Sequence, residues 1–121
     1  KSVTDITGFG LLGHAHELAH LSNVALRIDV GQLRFLPGAV DYGRAGAFPG
    51  GMANNLAYFG PWVRFASSVD QLMQDMLWTP ETSGGLLVAV KPDAVDRFRE
   101  LCPADIIGSV MEGNGQIEVV T

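Results

Sequence analysis

An acidic residue stands directly before a glycine-rich segment near the start of the chain. Asp5 lies between Thr4 and Thr7, and the residues that follow read G-F-G-L-L-G. Mg²⁺ prefers one or two carboxylates together with phosphate oxygens and water, and a helix N-terminus favours anions. The pattern predicts that Asp5 binds a Mg²⁺ ion carrying phosphate, that Thr4 and Thr7 supply hydroxyls, and that Gly8 and Gly10 let the backbone approach closely. Turn capping by Asp5 is the alternative.

The same segment also matches G-x-G-x-x-G, the fingerprint of dinucleotide-binding folds, with Asp29 placed 21 residues after Gly8. The preceding segment fits that fingerprint poorly, because a central parallel strand is almost wholly apolar and this one contains two threonines and Asp5. A carboxylate before the turn would repel a pyrophosphate unless a cation lay between them. A nicotinamide or flavin site is therefore disfavoured.

Three histidines lie on the helix predicted for residues 11–22. The segment from His16 to His20 reads H-E-x-x-H, which is the spacing of a zinc protease. The motif is short and arises by chance, so we interpret His16, Glu17 and His20 as solvated helix residues. For His14, a functional role and a capping or packing role both stay open.

Two further features carry open alternatives. The donor-rich loop Thr82–Gly85 is typical of either an anion-binding nest or a conformationally demanding turn. Four aromatic residues lie in the charge-poor first part of the chain and predict core packing, with an interface as the alternative: Tyr58, Phe59, Trp62 and Phe65.

Composition excludes several classes of protein. The 121 residues suit one domain, 47% of them are apolar, and the net charge of −5 argues against a nucleic-acid-binding surface. The single cysteine, Cys102, forms no internal disulfide and fits a reducing, cytoplasmic setting; we expect a buried thiol. No apolar run approaches a membrane span, and no signal peptide is evident.

Helices and strands alternate along the chain. Strands are predicted at 2–7, 24–30, 86–90, 106–111 and 117–120, and helices at 11–22, 37–45, 52–59, 69–77 and 92–101. The continuous apolar run at 86–90 indicates a buried strand, and G-N-G at 113–115 predicts a hairpin between the last two strands. The fold class is α/β (α+β), with helices packed over a mixed β-sheet.

Three stretches resemble one family. Residues 4–14, T-D-I-T-G-F-G-L-L-G-H, resemble the signature that opens the C-terminal domain of selenophosphate synthetases (selenide, water dikinases). Residues 48–51, F-P-G-G, with Asn55 following, resemble the family's P-G-G-x-x-x-N loop, and residues 80–87 resemble its P-Q-T-S-G-G-L-L loop. Together they span nearly the whole chain.

The resemblance implies an aminoimidazole ribonucleotide synthetase-like fold, with residues 1–121 as a single C-terminal domain that begins at Lys1 and lacks the N-terminal catalytic domain. The full enzyme would convert selenide, ATP and water to selenophosphate, AMP and phosphate, as a homodimer that holds ATP through several Mg²⁺ ions. Asp5 is the one family metal ligand that maps here. The catalytic Cys or selenocysteine, and most of the metal-binding aspartates, would lie outside this chain, which we expect to be inactive alone.

Two residues depart from the family pattern. Glu81 stands where Gln is common, and Met52 stands where a hydroxyl residue often follows the glycine pair. The added charge at Glu81 weakens any direct phosphate contact by the following loop. Two alternatives stay open. The chain could belong to another ATP-dependent member of the aminoimidazole ribonucleotide synthetase-like superfamily, or it could be a non-catalytic domain that binds only a nucleotide or a partner.

Overall fold

Strand β2 is an inner strand of a four-stranded mixed sheet in the computed structural model, which describes residues 2–121. The strand order is β3-β6-β2-β5. The strands are β1 (Val3–Asp5), β2 (Val24–Asp29), β3 (Val63–Phe65), β4 (Leu86–Val88), β5 (Gly108–Glu112) and β6 (Ile117–Val120). The helices are α1 (Gly10–Leu21), α2 (Ala39–Arg44), α3 (Gly51–Phe59), α4 (Gln71–Leu77) and α5 (Val95–Leu101). The predicted fold class is confirmed.

The predicted hairpin at residues 113–115 is wrong. Strands β5 and β6 pair with opposite edges of β2, the first antiparallel and the second parallel, instead of with each other. The glycine-rich turn crosses the start of β2, where the Gly115 N–H donates to the Val24 carbonyl at 2.7 Å and the Leu26 N–H donates to the Gln116 carbonyl at 3.0 Å. Turn chemistry specifies a chain reversal, but it does not exclude a strand inserted between the two arms.

A second, two-stranded sheet carries the start of the chain. Strand β1 pairs antiparallel with β4, and Thr4 lies opposite Leu87. The strand predicted at residues 86–90 is present as β4, but the prediction that it is buried is wrong, because it belongs to this small second sheet and Leu86 is 70% exposed. The pairing has a consequence for the site, since it places the Asp5 segment beside the loop that precedes β4.

Helix α1 packs its apolar face against the main sheet and α3. Its buried residues recur at helical spacing, as the sequence predicts, and they meet Trp78 and β6 in one core. The fully buried side chains with the largest volumes are Trp78, Leu12, Ile117 and Val119. This packing fixes the N-terminal end of α1, where the glycine turn ends.

The C-terminal region around helix α5 lies at the surface. Leu101 is 70% exposed, and Cys102 is exposed as well. The prediction of a buried thiol is therefore wrong, because α5, which ends beside Cys102, has no buried residue. Within residues 2–121, no helix is both long enough and apolar enough to cross a bilayer.

Candidate functional site at the glycine turn

The Asp5 carboxylate lies at the surface, at the end of strand β1. Within residues 2–121 it forms no hydrogen bond or ion pair, so the structure does not support the turn-capping alternative. The neighbouring Thr4 is buried, and its hydroxyl donates to the Asp5 carbonyl at 3.3 Å. Successive strand residues point to opposite faces. The structure therefore leaves the carboxylate available and uses the Thr4 hydroxyl internally.

The two glycines of the turn have different surroundings. Gly8 is exposed, and a Cβ atom added there would meet nothing within 4 Å. Gly10 is buried with φ +67°, and an added Cβ would lie 2.7 Å from the Thr79 carbonyl oxygen. Only glycine adopts that conformation readily. Gly8 therefore leaves open space for a ligand, whereas the close approach at Gly10 is to the backbone that follows α4.

His14 contacts the turn from the second turn of α1. Its Nε2 lies 3.1 Å from the Thr7 hydroxyl and 3.3 Å from the Phe9 backbone nitrogen. A backbone N–H can only donate, so Nε2 accepts and the proton of the neutral ring is on Nδ1. That N–H donates to Glu17, with 3.1 Å between Nδ1 and Oε2. His14 thus has a structural contact with the turn, as the packing alternative proposed.

Asn55 anchors the middle of the turn from helix α3. The side chain is buried, and its amide nitrogen donates to the Gly8 carbonyl and to the Trp78 carbonyl, both at 3.0 Å. In the sequence, Asn55 stands out only as part of the second motif, without a role of its own. Its signal in the sequence is the position of an amide side chain four residues after Gly51.

The three stretches that carry the family resemblance meet in space. A Cβ atom added at Gly51 would lie 2.8 Å from Pro80 Cγ, so the second stretch packs on the third. The Glu81 N–H donates to the Thr7 carbonyl at 2.9 Å, and the Ile6 N–H donates to the Gly85 carbonyl at 2.9 Å. The residues that follow Asp5 are therefore fixed against the loop 81–85 by two backbone hydrogen bonds.

The loop Thr82–Gly85 shows the packing expected of a demanding turn. An added Cβ at Gly84 would collide with the Ile6 carbonyl oxygen, so only glycine fits there. Thr82 and Ser83 are exposed. The loop shapes the site by its close backbone approach, and its exposed hydroxyls face solvent in the described chain.

Glu81 is the ionisable group that the site perturbs most clearly. Its Oε2 atom lies within 2.7 Å of where a Gly84 Cβ would stand, so the carboxylate lies over the loop backbone. Partial burial of its carboxylate raises the pKa of Glu81 above its usual 4.5, while the neighbouring His14 lowers it in part. The charged form of Glu81 is therefore disfavoured in the folded protein.

We expect Glu81→Gln to raise the free energy of unfolding at neutral pH. An acid whose pKa is raised by folding binds more protons in the folded state, so stability falls as pH rises from 4.5 through the raised pKa. The gain should shrink as pH is lowered toward 4.5. Urea unfolding between pH 4 and 8 measures it, with Glu112→Gln removing an exposed carboxylate as the control. If the gain in the free energy of unfolding did not change with pH, the raised pKa of Glu81 would be contradicted.

The coordination that this chain offers a divalent ion is partial. Among residues 2–121, no group of three His, Cys, Asp or Glu side chains is placed to hold a metal ion. Asp5 therefore offers one carboxylate, and its exposure and free oxygens fit a ligand of Mg²⁺, which takes few protein ligands and retains water.

The histidine pair of the H-E-x-x-H segment does not have the arrangement of a zinc site. His16 is buried, its Nδ1 lies 2.8 Å from the Gly115 carbonyl oxygen, and its ring stacks on Trp62 with centroids 4.4 Å apart. The prediction of a solvated side chain is wrong for His16, because the 113–115 turn passes over α1 at that point. His20 is exposed, as predicted, and Glu17 contacts His14.

The aromatic cluster is divided between core and surface. Phe59 is 4% exposed and belongs to the core, as predicted, and Phe65 packs partly against the core. Tyr58 is 68% exposed, and Trp62 is 36% exposed. An open groove of about 490 Å³ runs between α1 and α3 beside the turn, and it shares Phe9 and Asn55 with the site.

Comparison with known proteins agrees with the motifs. Residues 1–120 match the family described as "AIR synthase related protein, C-terminal domain". The chain is 41% identical over 125 residues to a "Selenide, water dikinase" of Paraburkholderia xenovorans. That alignment covers 98% of this chain and 35% of the relative. A protein of the same name from Clostridioides difficile is 39% identical over 117 residues, covering 92% of this chain and 34% of its own length.

A third relative, from Escherichia coli O139:H28, also bears that name and is 43% identical over 99 residues, covering 82% of this chain and 28% of its own length. The chain thus spans about a third of the length of the curated relatives it matches. These matches confirm the resemblance drawn from the glycine-turn motif. The chain belongs to the AIR synthase related protein C-terminal domain family, and within it resembles the selenide, water dikinases.

Proposed function

We propose that the chain is the C-terminal domain of a selenophosphate synthetase, which forms selenophosphate, AMP and phosphate from selenide, ATP and water in the cytoplasm. The observation that carries the proposal is the Asp5 carboxylate, exposed and without a protein partner in the described chain, on a turn that is held from several sides. The named relatives support the substrate assignment.

Within that function, each residue of the turn has a separate task. Asp5 would hold Mg²⁺, which neutralises phosphate charge and orients the transferring group when bound. Gly8 leaves space for a phosphate oxygen to approach the backbone, and the partly buried Thr7 hydroxyl lines the same turn. Thr4 and Gly10 are both buried, so their task would be to fix the course of the backbone.

The chain supplies one part of a larger site. One carboxylate is fewer than a polyphosphate with several Mg²⁺ ions needs, so the remaining ligands and the nucleophile would come from the missing N-terminal domain. The full enzyme would act as a homodimer on ATP and selenide, with no nucleic acid or membrane as partner. This chain by itself would then have no activity.

Two assays on purified protein test the proposal. We expect selenide-dependent AMP formation from ATP by the full-length protein and none by residues 1–121. Calorimetry with ATP and Mg²⁺ should detect at most weak binding to residues 1–121, with circular dichroism as the control for folding. ATP turnover by the full-length protein that is indifferent to selenide would favour another ATP-dependent member of the superfamily. Tight Mg-ATP binding by this chain alone would instead indicate a self-sufficient nucleotide-binding domain.

A further inference from the structure

The turn that follows Asp5 is anchored by side chains that lie far from it in the sequence or on the following helix. The Thr7 hydroxyl and the Phe9 N–H both contact His14 Nε2, and the Gly8 carbonyl accepts from Asn55. Three consecutive residues are thus each held by a side-chain hydrogen bond. An isolated turn rich in glycine has many accessible conformations, so these contacts select one of them.

Two of those three contacts converge on one atom. His14 is 8% exposed, and the Phe9 ring lies over its imidazole with centroids 5.1 Å apart. Glu17, one helical turn further on, accepts from Nδ1 and holds the ring in the tautomer that leaves Nε2 as an acceptor. Glu17 is itself partly exposed, with 42% of its side chain accessible. The imidazole therefore fixes the position of the turn relative to α1.

A line of carboxylate, imidazole and hydroxyl is also the arrangement that activates a nucleophile. Here the Phe9 N–H points at the same Nε2, which has a single lone pair in the plane of the ring. A base that already accepts from a backbone amide is poorly placed to remove the Thr7 proton. The geometry is that of a group that fixes the turn.

We propose that His14 is a positioning residue for the metal-phosphate site: by accepting from the Phe9 N–H, with the Thr7 hydroxyl in contact with the same Nε2 atom, it holds the turn so that Asp5 and Gly8 face the same bound Mg-ATP. This inference rests on the proposed function. It goes beyond it by naming the residue that orders the turn and the atom through which that residue acts.

The experiment compares two replacements of His14 in the full-length protein. His14→Phe fills the space but removes the acceptor, whereas His14→Gln places an amide oxygen near the position of Nε2. By calorimetry, we expect His14→Phe to weaken Mg-ATP binding about tenfold, and His14→Gln to stay within about threefold of the wild type, since one or two hydrogen bonds are at stake. With EDTA in place of Mg²⁺, the wild type and His14→Phe should have equal affinities for ATP.

The control separates positioning from loss of stability. His16 is a buried histidine of the same helix that contacts the 113–115 turn, so His16→Asn should lower the melting temperature without changing Mg-ATP affinity. All titrations are made below the melting temperature of every variant. Equal weakening by both His14 variants, or unchanged affinity in His14→Phe, would overturn the inference.

Asp5→Ala distinguishes this failure from that of the proposed function. If Asp5→Ala weakens Mg-ATP binding and His14→Phe does not, only the positioning role is lost. If neither change affects binding, Asp5 is not a metal ligand, and the metal-site part of the proposed function fails together with the inference.

Discussion

Asp5→Ala in the full-length protein is expected to reduce selenide-dependent ATP turnover by roughly a hundredfold or more, because metal stabilisation of a phosphoryl transition state contributes several kcal/mol. The fold should be retained, since the Asp5 side chain is exposed and forms no hydrogen bond within residues 2–121. The measurement is AMP formation at saturating ATP and selenide, with Mg²⁺ varied to reveal any shift in its apparent affinity.

The control for this change removes another exposed carboxylate. Asp93 lies in a short 3₁₀ turn before α5, and Asp93→Ala alters the net charge by the same amount. It should leave turnover within a factor of about two, as expected of surface substitutions away from a site. Normal turnover by Asp5→Ala, with an unchanged melting temperature, would sink the assignment of Asp5 as a ligand.

The second large effect is expected at Gly10, as a loss of stability. Gly10→Ala places a Cβ atom 2.7 Å from the Thr79 carbonyl oxygen at a φ of +67°. Backbone strain and overpacking add here, so the free energy of unfolding should fall by about 3 kcal/mol or more. Urea or thermal unfolding of residues 1–121 measures this loss, which is a large share of a typical domain's stability.

Two other glycines serve as matched controls. Gly46 has φ +74° with nothing within 4 Å of an added Cβ, so Gly46→Ala includes only the conformational cost of about 1 kcal/mol. Gly8→Ala should be nearly neutral for stability, because its surroundings are open and its φ is not positive. Equal losses from the Gly10 and Gly46 substitutions would show that the contact with Thr79 is unimportant.

The local elements of this domain follow from its sequence, whereas their pairing does not. Helix α1 is predicted to within a residue because its apolar positions recur at helical spacing. Strands β5 and β6 are also found, but the G-N-G turn between them indicated a hairpin, and the insertion of β2 depends on contacts distant in the sequence. Strand β3 was not assigned, since three residues are too few to show a period.

The candidate site shows the same division. Asp5 could be singled out because a carboxylate before a glycine turn has a specific chemistry. The tasks of Asn55 and His14 could not be deduced, because each depends on which backbone atom comes within hydrogen-bond distance after folding. Burial of His16 was missed for a related reason: the 113–115 turn covers it, and nothing near His16 in the sequence records that contact.

The position of β6 between β2 and β3 has a consequence for biosynthesis. Strands β2 and β3 are joined in the sheet only through β6, which consists of residues 117–120. The edges of β2 and β3 that pair with β6 therefore stay unpaired until residues 117–120 have been translated. Closing so large a loop is slow, and exposed edges invite association. We therefore expect a chaperone to bind a nascent chain that stalls before residue 117, because β2 and β3 would still lack their shared partner strand.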